Sequence, residues 1–192
     1  DGTFFFPFGH NMRSPGDQRA GGLMPGSKTN SAKCEREGTG AYARWFRLMR
    51  ENGGNFGRIW MSSWWCGLEW NERTSGYHGL DYFNQENAAR LDRIMELAEA
   101  EEIYINLETI NHGTLSTHID AEWDGNPMNK VTQPGGYLTY ATDFFYNPRS
   151  ITFEASILDS ACSVAIITLL LFQNIVNLID LNVMYPSVVH YS

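Results

Sequence analysis

The stretch Asn52-Gly53-Gly54-Asn55-Phe56-Gly57-Arg58-Ile59-Trp60-Met61 predicts the fold of this chain. An amphipathic helix ends at its Asn-Gly-Gly, and a short buried strand follows that carries Arg58 and Trp60 at its far end. The pattern recurs about forty residues later, where Ile103-Tyr104-Ile105-Asn106-Leu107-Glu108 leads into a loop that holds His112. Tandem helix-to-strand units that deliver such side chains at strand ends are typical of a (β/α) barrel.

Hydrophobic periodicity extends this prediction to the neighbouring segments. Apolar residues spaced i, i+3, i+4 and i+7 indicate two helices, the first stopped by Asn52-Gly53 and the second opened by Asn84 as N-cap. A third helix should start within 143–148. The predicted strands lie near residues 3–8, 54–61 and 103–108, and the predicted helices near 41–52 and 85–101.

The lengths of the predicted loops indicate at which end of the sheet the functional residues lie. The predicted loops after strands are long, including a Gly-, Ser- and Pro-rich surface loop over 13–40, whereas those after helices are short. Strands alternating with helices predict a parallel sheet with right-handed crossovers. We therefore expect an α/β fold, a partial TIM (β/α)₈ barrel of three βα units, with functional residues at the carboxyl ends of the strands.

Composition restricts the class of protein. The chain has 192 residues, of which 43% are apolar and 14% aromatic, so it is globular in its bulk. It is short for a (β/α)₈ barrel, which typically has about 250 residues. A net charge of -8 argues against a nucleic-acid partner. Three cysteines without a CxxC spacing indicate neither a disulfide framework nor a zinc site, and we expect no cofactor.

The composition changes abruptly near residue 150. All 14 Lys and Arg, all 18 Gly and all 6 Trp lie at or before Arg149, and the remaining 43 residues contain none of them. The apolar run 160–179 could be a buried helix and strand of the same domain, a membrane or signal-like segment, or non-native sequence from a frame change. The composition favours the third interpretation. We therefore divide the chain into a domain over 1–149 and an apolar tail over 150–192.

Several motifs together resemble the opening of cellulase- and β-mannanase-like glycoside hydrolases, which are retaining (β/α)₈ enzymes. They are Phe5-Phe6-Pro7-Phe8-Gly9-His10-Asn11-Met12, Trp45-Phe46, Glu51 to Met61, Gly67-Leu68-Glu69-Trp70, Leu91 to Ala98, and Asn126-Pro127-Met128-Asn129. The resemblance covers about residues 3 to 149. Glu102 stands where the family usually has glycine, which we expect to remove the left-handed cap of the second helix.

The resemblance implies hydrolysis of a β-glycosidic bond by two carboxylates about 5 Å apart, an acid/base and a nucleophile. In the family they follow the fourth and seventh strands, and the fourth-strand residue belongs to an Asn-Glu pair. No such pair occurs after Arg149. One segment of the tail weakly resembles the family's fourth strand, but Val183 occupies the position of the catalytic acid there. Neither catalytic residue can therefore be assigned, so we expect the chain as given to be inactive.

Two residues are candidates for a supporting role in catalysis. Arg58 matches the family's arginine that hydrogen-bonds the nucleophile and keeps it ionised, a role that suits a guanidinium; otherwise it forms a surface salt bridge. His112 matches a histidine that binds substrate hydroxyls near the cleaved bond, although a lone loop histidine often has no function. His78 and His118 have no spaced partners, so we expect no metal site.

Polar and aromatic side chains around the same strand ends are candidates for sugar binding, because indole rings stack on the C–H faces of sugars. Packing in the core is the alternative, and we expect it to take Trp60 and one of the neighbours Trp64 and Trp65. Asn126 and Asn129 should order their loop instead. The predicted substrate-binding residues are His10, Asn11, Trp64, Trp65, Glu69, Trp70 and Trp123.

The sequence thus predicts a fragment of a secreted glycoside hydrolase acting on β-linked polysaccharide. The alternatives are a non-catalytic carbohydrate-binding remnant that uses the tryptophans, and a membrane-anchored protein if the tail is genuine. A secretion signal is absent or already removed, because the chain opens on Asp1-Gly2-Thr3 without a basic and apolar leader. The expected partner is a polysaccharide or oligosaccharide; a membrane is not favoured.

Overall fold

A computed structural model describes residues 4–12, 14–15 and 38–153, and they form an α/β fold around a small parallel sheet. Short 3₁₀ helices occupy the loops that follow the sheet, at His112–Leu115, Trp123–Gly125 and Ala141–Phe145. Residues 148–153 are helical. The main elements are β1 (Gly9–Asn11), α1 (Gly40–Glu51), β2 (Phe56–Trp60), α2 (Gln85–Ala100) and β3 (Tyr104–Glu108).

The three strands are parallel and lie in the order β1-β2-β3, as the sequence predicts. Asn11, Arg58 and Asn106 are in register across the sheet, and Trp60 is in register with Glu108. Because side chains alternate along a strand, these residues share one face of the sheet. We call it the polar face.

The opposite face is apolar and carries both helices. Ile59, Ile105 and Leu107 on this face are buried, and they form one core cluster with the stripe residues of α1 and α2. Phe46 of α1 and Ile94 of α2 are fully buried there. Burying each such side chain contributes about 1.5–3 kcal/mol, so this cluster fixes which way the sheet faces. The prediction that both helices pack on one side is confirmed.

A second cluster lies under the long loop after β3. Trp123, Met128, Leu138 and Phe144 form it, and Phe153 packs against both clusters. Ser150 is also buried. The packed structure therefore continues to at least Phe153, beyond the predicted boundary at residue 149.

Both helices end in the same cap. In α1 the amide of Gly54 donates to the carbonyl of Met49 and that of Gly53 to Arg50, which is the Schellman pattern with Gly53 at φ 81°. In α2 the amide of Ile103 donates to Ala98, and Glu102 takes the left-handed conformation at φ 54°. The expectation that Glu102 removes this cap is wrong, because the cap forms despite the side chain.

One predicted boundary also needs correction. The first strand is Gly9–Asn11 rather than 3–8. Residues 4–8 are exposed and meet the sheet mainly at Asn55, which bonds Phe8 through its side chain and its backbone amide and Phe6 through its side chain. The third helix begins at Pro148, within the predicted range 143–148, where the side chain of Asn147 accepts the amide of Arg149.

Two predictions fall outside the described residues, the apolar tail from residue 154 onward and most of the loop over 13–40. Across 4–12, 14–15 and 38–153, no helix has the length and apolar character that a membrane crossing requires.

We predict that Glu102→Gly stabilises the fold by about 1 kcal/mol, because a side chain in the left-handed region costs about 1–2 kcal/mol and the exposed ion pair with Arg50 returns little of it. Urea unfolding monitored by circular dichroism measures this difference. Glu99→Gly, at an exposed helical position, is the control and should destabilise by about 1 kcal/mol. Equal effects of the two changes would contradict the assigned strain.

Candidate functional site

An ion pair joins the carboxyl ends of the neighbouring strands β2 and β3. Nη2 of Arg58 in β2 pairs with Oε2 of Glu108, the last residue of β3. The side chain of Glu108 is 11% exposed and that of Arg58 is 36% exposed, so the carboxylate lies behind the guanidinium. Burial raises the pKa of Glu108, and the charges of Arg58 and His112 oppose the rise.

The contacts continue from this pair into the loop after β3. The Cζ atom of Arg58 lies 5.4 Å from the centroid of the Trp60 ring, and the His112 ring meets Trp60 edge-on at 5.6 Å between centroids. Nε2 of His112 is 3.1 Å from Oδ2 of Asp120. These five residues form one continuous set at the carboxyl ends of the strands, which we call the rim: Arg58, Trp60, Glu108, His112 and Asp120.

Arg58 and His112 thus come together at the end of the sheet where the sequence places them. Glu108 and Asp120 were missed as members of this cluster. A sequence signal exists for Glu108, because it is two residues from Asn106 and four from Tyr104 and therefore shares their face. No comparable signal exists for Asp120, whose pairing with His112 depends on a loop.

The strand register separates His10 from Asn11. Asn11 is in register with Arg58 and shares its face, but His10 is paired with Gly57 on the opposite face. The prediction that His10 and Arg58 lie on one rim is therefore wrong. The cause is the shifted strand, because both residues were expected in a loop beyond it, whereas β1 includes both and side chains alternate along it.

The tryptophans divide between the surface and the interior. Trp64 is 41% exposed, whereas Trp65 packs against the main core and is contacted by the guanidinium of Arg90. Trp60 is 5% exposed, so it and one of the adjacent pair are taken by packing as expected. Trp123 is 6% exposed in the second cluster. The buried Trp123 therefore offers no free face to a sugar, contrary to its predicted role, whereas Trp65 is half-buried against the core.

Glu69 lies apart from the rim in a small cavity of about 30 Å³, together with Ser63, Trp70, Thr109 and Asn126. This volume holds one or two water molecules. The Oε2 atom of Glu69 accepts a 2.7 Å hydrogen bond from the amide of Asp81. The structure thus gives Glu69 a contact within its own loop, and Trp70 lines the same cavity beside Gly125.

Burial determines the acid–base behaviour of this cavity. It raises the pKa of Glu69 to about 7, and the charge of Asp81 adds to the rise, whereas the hydrogen bond from Asp81 and the charge of Arg149 oppose it. Arg149 pairs with Asp81 at 3.3 Å and lies over the ring of Tyr137. The cluster connects the loop after β2 to the start of the helix at Pro148, which is a structural role.

A buried network fixes the loop after β2. The hydroxyl of Tyr77 donates to the carbonyl of Ser63 at 2.6 Å, and Nδ2 of Asn87 donates to the carbonyl of Gly67 at 2.7 Å. Nη1 of Arg90 in turn donates to Oδ1 of Asn87 at 2.6 Å. Because Asn87 and Arg90 belong to α2, the helix helps to determine the path of the loop that carries Trp64.

Cys66 belongs to the same loop and is chemically inert. Its thiol is fully buried and donates to the carbonyl of Trp60 at 3.1 Å. Burial raises the pKa of Cys66 to about 12, so a thiolate does not form near neutral pH. We therefore assign no nucleophilic role to this cysteine.

Asn126 and Asn129 order the loop after β3, as the sequence suggests. Both are buried, and their side chains bind backbone groups of Thr114, Met128, Trp123 and Val131. In the part of the chain that the structure describes, no group of three or more His, Cys, Asp or Glu side chains could hold a metal ion.

No protein-family model, curated protein or solved structure matches this chain. What is defined here is an α/β chain with a parallel three-stranded sheet and a rim of charged and aromatic side chains at the carboxyl ends of β2 and β3.

We predict that stability falls between about pH 4.5 and pH 7 because of Glu69, by up to about 3 kcal/mol. The folded state keeps a proton in this range that the unfolded chain releases, since burial raises the folded pKa to about 7. Glu69→Gln, which stays neutral, should flatten this part of the profile. Denaturant unfolding from pH 4.5 to pH 8 measures it. Glu72→Gln, on the exposed part of the same loop, is the control and should keep the wild-type slope.

Proposed function

We propose that this chain is the amino-terminal part of a secreted (β/α)₈ glycoside hydrolase that acts on a neutral β-linked polysaccharide of the cellulose or mannan type. The described βα units correspond to the first three of the barrel. The parent enzyme would work by a retaining two-carboxylate mechanism, in which the rim supports the chemistry. The chain as given is inactive, because it supplies supporting residues without an assigned pair of catalytic carboxylates.

The polar face of the sheet is the observation that carries this proposal. A parallel sheet is ordinarily buried on both faces, and its strands are then apolar on both. Here the polar face carries Asn106 and the ion pair of Arg58 and Glu108, with Trp60 beside it. In a (β/α)₈ barrel the face away from the helices lines the interior, and its carboxyl end forms the active site.

The chemistry of the rim fits recognition of sugar hydroxyls. Arg58 supplies N–H donors in a planar group, Asp120 and Glu108 supply acceptors, and His112 can do either according to its tautomer. Trp60 holds the guanidinium and the imidazole in place between them. Fixed donors and acceptors of this kind are required wherever a site must orient a polyhydroxylated ligand.

Glu108 is not proposed as a catalytic acid or nucleophile. Its carboxylate is bound by Arg58 and lies behind the guanidinium, so a sugar approaching the rim meets Arg58 first. A nucleophile must instead reach the anomeric carbon, with a second carboxyl group about 5 Å away on the other side of the bond.

A non-catalytic carbohydrate-binding role is the second candidate, and the exposed indole of Trp64 favours it. Trp64 belongs to the loop that Tyr77 and Asn87 fix from below, so its ring is presented on a rigid support. A preorganised aromatic ring of this kind is suited to stacking on a sugar.

We predict that purified 1–192 protein releases no reducing sugar from β-glucan or β-mannan. Translation of the parent nucleotide sequence past codon 149 in all three frames should instead reveal an Asn-Glu pair at the end of a fourth strand. A polypeptide extended in that frame through the seventh strand should hydrolyse the same polymers. Turnover by the 1–192 protein that is abolished by Glu69→Gln or Glu108→Gln would contradict this assignment of the catalytic residues.

We predict that Trp64→Ala weakens retention of the 1–192 protein on insoluble cellulose or mannan by about fivefold, because one stacking contact contributes about 1 kcal/mol. Affinity electrophoresis or a pull-down isotherm measures this change. Trp65→Ala is the matched control, since its ring packs against the core and should affect stability rather than retention. Equal retention of the wild type and Trp64→Ala would exclude Trp64 as a binding platform.

A further inference from the structure

The charge of Arg58 is neutralised from the side that faces away from solvent. Glu108 is nearly buried and holds Nη2 of the guanidinium, whereas Arg58 itself is about one-third exposed. A ligand at the rim would therefore touch the guanidinium while its counter-charge stays behind it. The Glu108 carboxylate does not bind the ligand itself, but it neutralises the positive charge of Arg58 that the ligand meets.

The position of this carboxylate is set by the sheet. Asn106, which is in register with Arg58, is neutral, and Glu108 is one step further along the same face, in register with Trp60. The ring of Trp60 supports the guanidinium from below at 5.4 Å, so Arg58 is held between an indole and a carboxylate. A guanidinium held in this way stays in place whether or not a ligand is bound.

The second basic group of the rim has a similar arrangement. His112 lies beside the same indole and binds Asp120 at 3.1 Å. The rim therefore presents hydrogen-bond donors without a net positive charge. An uncompensated guanidinium would instead favour a planar carboxylate, which it binds in a bidentate manner.

We propose that Glu108 is a specificity-determining residue, which makes the rim accept neutral sugars and reject sugars that carry a carboxylate, such as uronic acids. This inference rests on the proposed function in that the ligand is taken to be a sugar. Repulsion by the carboxylates of Glu108 and Asp120 adds to the effect of neutralising Arg58, since like charges facing each other disfavour binding.

Two ligands that differ at one carbon test the proposal. Cello-oligosaccharides and β-1,4-linked glucuronic acid oligomers of equal length differ in carrying a hydroxymethyl or a carboxylate group. Calorimetric titration of the 1–192 protein should show preference for the neutral ligand. Glu108→Gln should shift the affinity ratio toward the acidic ligand by about tenfold, the effect of one charge-assisted contact, and added salt should reduce the shift.

Matched variants separate this effect from general changes of charge or stability. Glu96→Gln removes the same charge from an exposed ion pair with Arg93 on α2, and it should leave the affinity ratio unchanged. Adding Arg58→Gln to Glu108→Gln should abolish the gain. Glu108→Met is a second variant of similar length and should behave as Glu108→Gln does. An unchanged ratio in folded Glu108→Gln or Glu108→Met would overturn the proposal.

The failure of the proposed function has a different signature. If the wild type and both variants bind neither oligosaccharide, the sugar-binding function is contradicted. The role of Glu108 is then read from acetate titrations followed at the Arg58 side-chain NMR signal. A carboxylate-dependent shift in Glu108→Gln that is absent from the wild type supports neutralisation by Glu108, and identical shifts in both proteins overturn it.

Discussion

Ile59, Ile105 and Leu107 pack beneath the two helices, and the rest of the structure depends on this contact. Side chains alternate along each strand, so burial of these three turns Arg58, Trp60 and Glu108 to the opposite face. Parallel pairing then brings the carboxyl ends of β2 and β3 to one edge of the sheet. The ion pair between Arg58 and Glu108 closes across that edge. A register shift of one residue would bury the charges and expose the core.

The loops beyond the strands divide into a surface part and a buried part. The rim lies over the polar face, where the guanidinium of Arg58 is partly exposed. Glu69 lines a separate small cavity that can hold water, and its carboxyl group accepts a hydrogen bond from the backbone amide of Asp81. The two carboxyl groups therefore differ in role for a physical reason. Glu108 has a cation as its partner at the edge of the sheet, whereas Glu69 is bound by a backbone amide inside a loop.

Local errors in the sequence-based predictions have local causes. The first strand begins later than its aromatic residues suggest, because residues 4–8 meet the sheet mainly at Asn55, which bonds Phe6 and Phe8. That shift moves His10 to the face opposite Arg58. Glu102 adopts the left-handed region although glutamate has a low preference for it. The Schellman hydrogen bonds and the burial of Ile103 outweigh about 1–2 kcal/mol of strain.

The sequence by itself determined the α/β class, the parallel order of the strands, the helix stripes and the location of Arg58 and His112 at strand ends. These features follow from periodicity and capping, which depend on neighbours along the chain. Only the tertiary structure decided that Glu108 is the partner of Arg58, that Asp120 binds His112, and that Trp64 is exposed, Trp65 half-buried and Trp123 buried. Those outcomes depend on strand register and loop closure. Both bring together residues whose spacing in the sequence does not predict that they are in contact.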